Sequence, residues 1–311
     1  MPTTRPDRAA RKRRLRRQRQ VAGAAAILTL GGIGLGIGAL TRGTTSRPSA
    51  VAKRTPGAPR PASSPPARSP VGGLPTLAEQ EAAIDRLVKF GLPIYRAGGR
   101  GNFVALTFDD GPGPYTTTAL AALKKAQARA TFFVVGRNLA NWPTLPRQEA
   151  AIGAVADHTW THPYLPNLPI ATITSEMDRT RLAASAAAGR PVRLFRPPYG
   201  GRNAAIDHIA TSEGMLEVLW STDSRDALGA NWESILATGK NALRPGEIIL
   251  FHENRGQTLK ALNRLLPELH KRNMVAVSVP ELLALDPPSL AQVRADAEKF
   301  TGITAGGAPP R

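Results

Sequence analysis

Cysteine is absent from the 311-residue chain. Disulfides, thiolate nucleophiles, cysteine-ligated zinc and a lipidated cysteine anchor are thereby excluded, and any metal must be held by histidine and carboxylate. Acidic residues are nearly missing from one end. Residues 1–75 hold 15 of the 41 Lys and Arg but, of the 23 Asp and Glu, only Asp7, so they carry +14 of the formal +18. The sequence pI of about 11.2 therefore reflects a tail, and no nucleic-acid partner is expected. Charge of either sign is absent from VAGAAAILTLGGIGLGIGAL, residues 21–40.

A helix of that length spans about 30 Å, the hydrocarbon thickness of a bilayer. With RKRRLRRQRQ in front of it, the pattern predicts a basic cytoplasmic tail over 1–20 and a transmembrane signal-anchor helix over 21–40. Residues 41–75, rich in Pro, Ser, Thr and Arg, read as a disordered linker. The expected arrangement is a single-pass membrane protein with an extracytoplasmic domain. Ser49-Ala50-Val51-Ala52 offers the alternative of cleavage and secretion.

Beyond residue 75 the pattern changes. A helical lead-in over 76–102 contains LAEQEAAIDRLVKF, and apolar runs then alternate with helical periodicity. Strands are expected at 103–108, 131–135, 152–156, 192–196, 215–220, 247–252 and 274–279. Helices are expected near 116–128, 137–150, 172–187, 203–212, 231–243 and 257–271. This alternation predicts an α/β domain over 103–286, with a mainly parallel sheet either open or closed into a barrel. Residues 287–311 read as a polar tail with one short helix.

In such folds chemistry gathers at the carboxyl ends of the strands. The first expected strand ends on Asp109 and Asp110, the third on His158, the fourth on Arg196 before Pro197-Pro198-Tyr199. The fifth ends on Asp223 and Asp226, and the sixth on His252. Alone, the aspartate pair is equally compatible with helix capping. Alone, His158-Thr159-Trp160-Thr161-His162 is compatible with two surface histidines, since the glutamate of a zincin helix is missing. Pro163 favours a loop there. Together with Asp110, the two histidines would complete a two-His-one-Asp metal site with open positions. Amide hydrolysis would further need a base, for which Asp109 is free, and an acid, for which His252 is placed, with Asp226 to hold its charge. Arg196 could orient Asp109. His208 and His270 fall inside helical segments and are expected to take no part.

From about 103 to 286 the chain resembles the polysaccharide deacetylases of carbohydrate esterase family four, the NodB homology domain. The likeness runs through TFDDGP, ATFFVVG, HTWTHP, RPPYG, WSTDSRD and LFH, in the family's order. It implies a distorted, incomplete (β/α) barrel and metal-dependent removal of acetyl groups from a glycan. It further implies Asp109 as base, Asp110, His158 and His162 as metal ligands, Arg196 orienting the base, and His252 as acid tuned by Asp226. Tyr199 would lend its backbone N–H to the oxyanion. Leu250 would line the acetyl pocket, and Pro198 and Trp160 would flank the substrate. The metal expected is Zn2+, with Co2+, Mn2+ or Ni2+ as alternatives. The expected protein is a monomer acting on the N-acetyl groups of an envelope glycan, peptidoglycan first; an O-acetyl esterase of the xylan type and an inactive glycan-binding module are the rivals. Three positions depart from the family pattern. Ala227 stands where a tryptophan usually follows the tuning aspartate, Glu253 stands where aspartate is more usual, and AIGAVAD replaces a glutamate-containing stretch.

Overall fold

The computed structural model describes residues 73–304. The expected basic tail, membrane span and nearly all of the linker lie outside these residues. Among the described residues, no helix is long and apolar enough to cross a membrane.

Helix α1 (Leu77–Val88) opens on a capping box in which Thr76 and Glu79 satisfy each other's backbone donors. Then follow β1 (Phe103–Gly111), α2 (Thr116–Lys125), β2 (Ala130–Val134), α3 (Leu145–Ile152) and β3 (Gly153–Asp157). The chain continues through α4 (Ile170–Ala188), β4 (Leu194–Phe195), α5 (Ala204–Ser212), β5 (Leu216–Glu217) and β6 (Thr222–Asp223). It ends with α6 (Trp232–Asn241), β7 (Ile248–His252), α7 (Gly256–Lys271), β8 (Val275–Val277), α8 (Val279–Leu285) and α9 (Leu290–Thr304). All pairings between these strands are parallel, in the order β5-β4-β3-β2-β1-β7-β6, with β8 against the start of β1.

The sheet curls. One continuous stretch supplies both of its edges, β5 on one side and β6 on the other, so those edges are no more than about 25 Å apart. Between them Val218 bridges Ile94, and the Ser221 amide donates to the Ile248 carbonyl. The result is the curled, incompletely closed barrel that the resemblance implies.

Strand alternation decides what faces the site. Val104, Leu106 and Phe108 of β1 pack outward with Phe132, Val134, Ile249 and Phe251 against the helices. The Phe108 ring stacks at 5.7 Å on both Phe132 and Phe251. Thr107 and Asp109 therefore face inward, as does His252, which lies beside Asp109 in the register of β1 with β7.

Several expected elements differ. The 192–196 and 215–220 runs contribute only two ladder residues each, and beyond them Val218 turns to bridge Ile94 instead. Asp223 and Asp226 do not end the fifth strand; they belong to the separate strand β6 and the turn after it, at the opposite edge. The expected helix over 137–150 is a 3-10 turn at Gly136–Ala140 and then α3, interrupted near Pro143, which lacks the N–H a helix interior needs. The expected polar tail contains the 15-residue α9, whose Val293 and Phe300 are buried.

Candidate active site

Two neighbouring residues of a regular strand point to opposite faces, yet Asp109 and Asp110 reach the same histidine. Asp109 Oδ2 lies 3.6 Å and Asp110 Oδ1 3.8 Å from His158 Nε2. A bulge explains this: the register of β1 with β2 shifts between Asp109 and Gly111, and Asp110 has φ 71°. The extra residue re-aims the second carboxylate into the barrel mouth.

His158 and His162 sit on the loop after β3, not on a helix. Thr159 and His162 have φ 66° and 63°, and the loop is held by internal bonds. The Thr159 amide donates to Asp157 Oδ1 at 2.7 Å, and the His162 amide to Thr159 Oγ1 at 3.1 Å. The Thr161 amide and hydroxyl both donate to Glu176 of α4, at 2.7 and 2.8 Å. The two imidazole rings meet at 4.8 Å between centroids, and His162 Nε2 is 3.3 Å from Asp110 Oδ1.

Asp110, His158 and His162 offer one ligand atom each, all within 4.8 Å of one another. Their chemistry fits a divalent cation. His158 Nδ1 is 2.7 Å from the Arg196 carbonyl, which can only accept, so Nδ1 carries the proton and Nε2 presents a bare lone pair. Burial pushes both histidines down to about 4, against the pull of Asp110, so both are neutral ligands at neutral pH. Burial opposes the charge of Asp110, but the surrounding histidines and a hydrogen bond from Asn254 hold its pKa below the usual value.

Asp109 and Arg196 form a buried pair. Arg196 is fully buried; Nη1 donates to Asp109 Oδ1 at 2.7 Å and to Thr107 Oγ1 at 2.9 Å. Its Nε and Nη2 donate to the carbonyls of Val218 and Leu219, both at 2.9 Å, and its guanidinium lies 3.9 Å from the centre of the Phe133 ring. Every direction of the side chain is thus fixed. Burial raises the Asp109 pKa, and the Arg196 charge limits the rise.

The third group is His252 with Asp226. Asp226 Oδ1 lies 2.7 Å from His252 Nδ1, while Oδ2 accepts from the His252 amide at 2.7 Å and from the Thr258 hydroxyl at 2.5 Å. Burial disfavours the imidazolium, but the Asp226 bond and charge, with Asp109 and Asp110 behind, raise its pKa to about 9.

Tyr199, with φ 60° in the 3-10 turn Pro198–Gly200, places its ring 4.7 Å from that of His162. Pro198 is buried in the same turn. Leu250 is buried two residues before His252, in a cluster with Tyr95, Leu219, Trp220 and Phe300. The Trp160 ring packs on Gly136, where an added Cβ would come within 2.3 Å of it, and beneath the Arg179 guanidinium at 4.3 Å. His208 and His270 lie on α5 and α7, outside the cluster. Beside Asp226, Ala227 leaves no aromatic wall. Leu228 is 76% exposed, and Trp232 turns away to carry Lys260 and Arg264, each 4.4 Å from its ring. Sequence reasoning did not find Asn254, Thr258 or Glu176, polar residues whose partners lie in other segments.

A neutral histidine pair beside a carboxylate, a buried aspartate fixed by an arginine, and a charged histidine braced by a second aspartate form a candidate metal site with acid–base groups beside it, the equipment of a hydrolase, on a curled parallel sheet. Comparison with known proteins narrows the class. Residues 97–218 match the polysaccharide deacetylase family model. A chitooligosaccharide deacetylase from a Bradyrhizobium strain is 35% identical over 196 residues, 58% of this chain and 90% of the relative. A peptidoglycan-N-acetylglucosamine deacetylase from Bacillus cereus is 36% identical over 187 residues, 58% of this chain and 87% of the relative. The solved family 4 carbohydrate esterase from Streptomyces lividans, in complex with acetate, aligns with a TM-score of 0.54 at 37% identity, covering 57% of this chain and 92% of that one. The chain belongs to the polysaccharide deacetylase family and is an enzyme of that class.

Proposed function

We propose that this enzyme removes N-acetyl groups from a cell-envelope glycan, peptidoglycan foremost, with Zn2+ held by Asp110, His158 and His162. The observation that carries the reading is the meeting of that triad with the Asp109–Arg196 and His252–Asp226 pairs at one barrel mouth. When bound there, a divalent cation would supply Lewis acidity, making water more acidic and the acyl carbon more electrophilic.

The residues divide the remaining work. Asp109, its raised pKa suiting it to accept a proton, takes one from the attacking water. Arg196 keeps that carboxylate aimed. As the carbon–nitrogen bond breaks, His252 gives its Nε2 proton to the departing amine, leaving acetate and a free amino sugar. Asp226 holds the imidazole by Nδ1 so that Nε2 faces the substrate. The Tyr199 backbone N–H stabilises the oxyanion, and Leu250 and Pro198 shape the acetyl pocket. A domain over 103–286 carried on the span at 21–40 and the linker at 41–75 would meet glycan outside the membrane, acting as a monomer. The apolar, uncharged stretch and its basic flank support that placement.

The test is acetate release by the purified full-length chain from N-acetylated peptidoglycan fragments and from O-acetylated xylan, before and after metal removal. N-acetyl turnover that is lost on chelation and restored by Zn2+ is expected. Turnover confined to the O-acetyl substrate would overturn the amide assignment, and full activity after exhaustive chelation would overturn the metal site.

A further inference from the structure

The two residues that follow the acid histidine also touch the segment around Asp110. The Glu253 amide donates to the Asp109 carbonyl at 3.2 Å. Its carboxyl fills the space beside Gly111, where an added Cβ would lie 1.2 Å from Glu253 Oε1, so any side chain there would have to displace the Glu253 carboxyl. Glu253 Oε2 accepts from Thr116 Oγ1 at 2.6 Å, and that hydroxyl accepts from the Gly113 amide at 2.8 Å. On the other side Asn138 Nδ2 donates to the Asp110 carbonyl at 3.0 Å. The backbone around the left-handed Asp110 is thus fixed from two directions, but none of these bonds sets the rotation of its carboxylate.

Asn254 does that. Its Nδ2 donates to Asp110 Oδ2 at 3.1 Å, while Oδ1 of the same carboxylate faces His162 and His158. One oxygen is occupied on the side away from the histidines, and the other is presented to them. We propose that Asn254 is a positioning residue that holds Asp110 to one-oxygen coordination. A carboxylate free to turn could offer both oxygens and fill a coordination position that water or substrate must enter. Groups that orient ligands in this way commonly change metal affinity or activity by about 10–100-fold when removed.

The inference rests on the metal site of the proposed function, and one experiment separates the two. The full-length chain is stripped of metal, and its Zn2+ affinity is measured by competition with a chromophoric chelator. Co2+ then serves as a spectroscopic probe of coordination number. Wild-type protein should bind both ions. Asn254→Ala and the near-isosteric Asn254→Leu should bind Zn2+ about 10–100-fold more weakly. Both should alter the visible Co2+ spectrum and lower kcat more than they change KM. The leucine variant separates loss of the donor from loss of volume, so unfolding of the alanine variant leaves the matter decidable. Zn2+ affinity and Co2+ spectra equal to wild type in a folded variant would overturn the role of Asn254 alone. Failure of the wild-type chain to bind either ion would overturn the metal site itself.

Discussion

The two ends of the barrel are built by different rules. Among the described residues, seven non-glycine residues have positive φ. Asp110, Thr159, His162, Tyr199 and Arg225 follow or end strands at the mouth. Gln127 and Asn273 lie at the other end, just past the C-termini of α2 and α7, where a left-handed residue is an ordinary way to stop a helix. At the mouth the same conformation is taken by two of the three candidate metal ligands, Asp110 and His162, and by Tyr199, and buried charges face one another across the opening. At the far end, Ile84 and Leu87 of α1 pack with Leu282 and Leu283 of α8, and Arg96 and Arg100 pair with Asp296 and Asp286. Backbone strain gathers at the mouth beside the buried charges of the site, whereas the buried carboxylates of the far end are each paired with an arginine and set in apolar packing.

If that division is real, substitutions at the two ends should separate activity from stability. The largest effect is expected from Asp109→Asn. The amide can still accept from Arg196 but cannot take a proton, so acetate release should fall on the order of 10²–10⁴-fold while circular dichroism stays native. Retained turnover would remove Asp109 from the base role; unfolding would mean that the mouth also carries stability. The complementary change is Leu87→Ala. Leu87 is completely buried in the α1–α8 cluster, and the cavity should cost about 2–5 kcal/mol in denaturant unfolding with kcat and KM unchanged at a temperature where the protein is folded.

The same contrast explains what could be read from sequence. The apolar runs of β1, β2, β3 and β7 are long enough to signal buried strands, and the residues that end them are the ones that converge. That Asp109 and Asp110 share the mouth is legible; how one strand aims both at His158 is not, because it depends on a bulge and on φ at Asp110, which residue types do not encode. β6 is two residues long and gives no periodicity, so Asp226 was assigned to the wrong strand although its partner, His252, was correctly paired with it. Asn254 and Thr258 are polar residues near a helix start, indistinguishable in sequence from ordinary surface positions. At the far end, Val293 and Phe300 are too widely spaced among charged residues to mark α9 as docked.

A smaller effect concerns pH. In the proposed reaction His252 must be protonated to act as acid, and with its pKa raised to about 9 that form persists below 9 and is lost above it. Asp109 must be ionised, so activity should rise with pH through its raised pKa and fall again near 9. Asp226→Asn removes the strongest influence that raises His252 while leaving its burial, so the alkaline limb should move to lower pH in a kcat/KM profile. An unmoved limb would separate His252 from the acid step.

The smallest effect tests whether the ends are independent. Asp296 on α9 accepts three bonds of 2.9–3.0 Å from Arg96, yet the arginine side chain is 38% exposed. Water can replace the lost carboxylate, so Asp296→Ala should cost about 1 kcal/mol or less in thermal unfolding. The informative measurement is activity, because α9 also carries Phe300, stacked on Tyr95 at 5.2 Å and clustered with Leu250 beneath His252. If that apolar contact alone docks the helix, kcat stays at the wild-type value. A drop in kcat larger than the loss of stability explains would show that the ion pair at the far end holds the floor of the mouth in place.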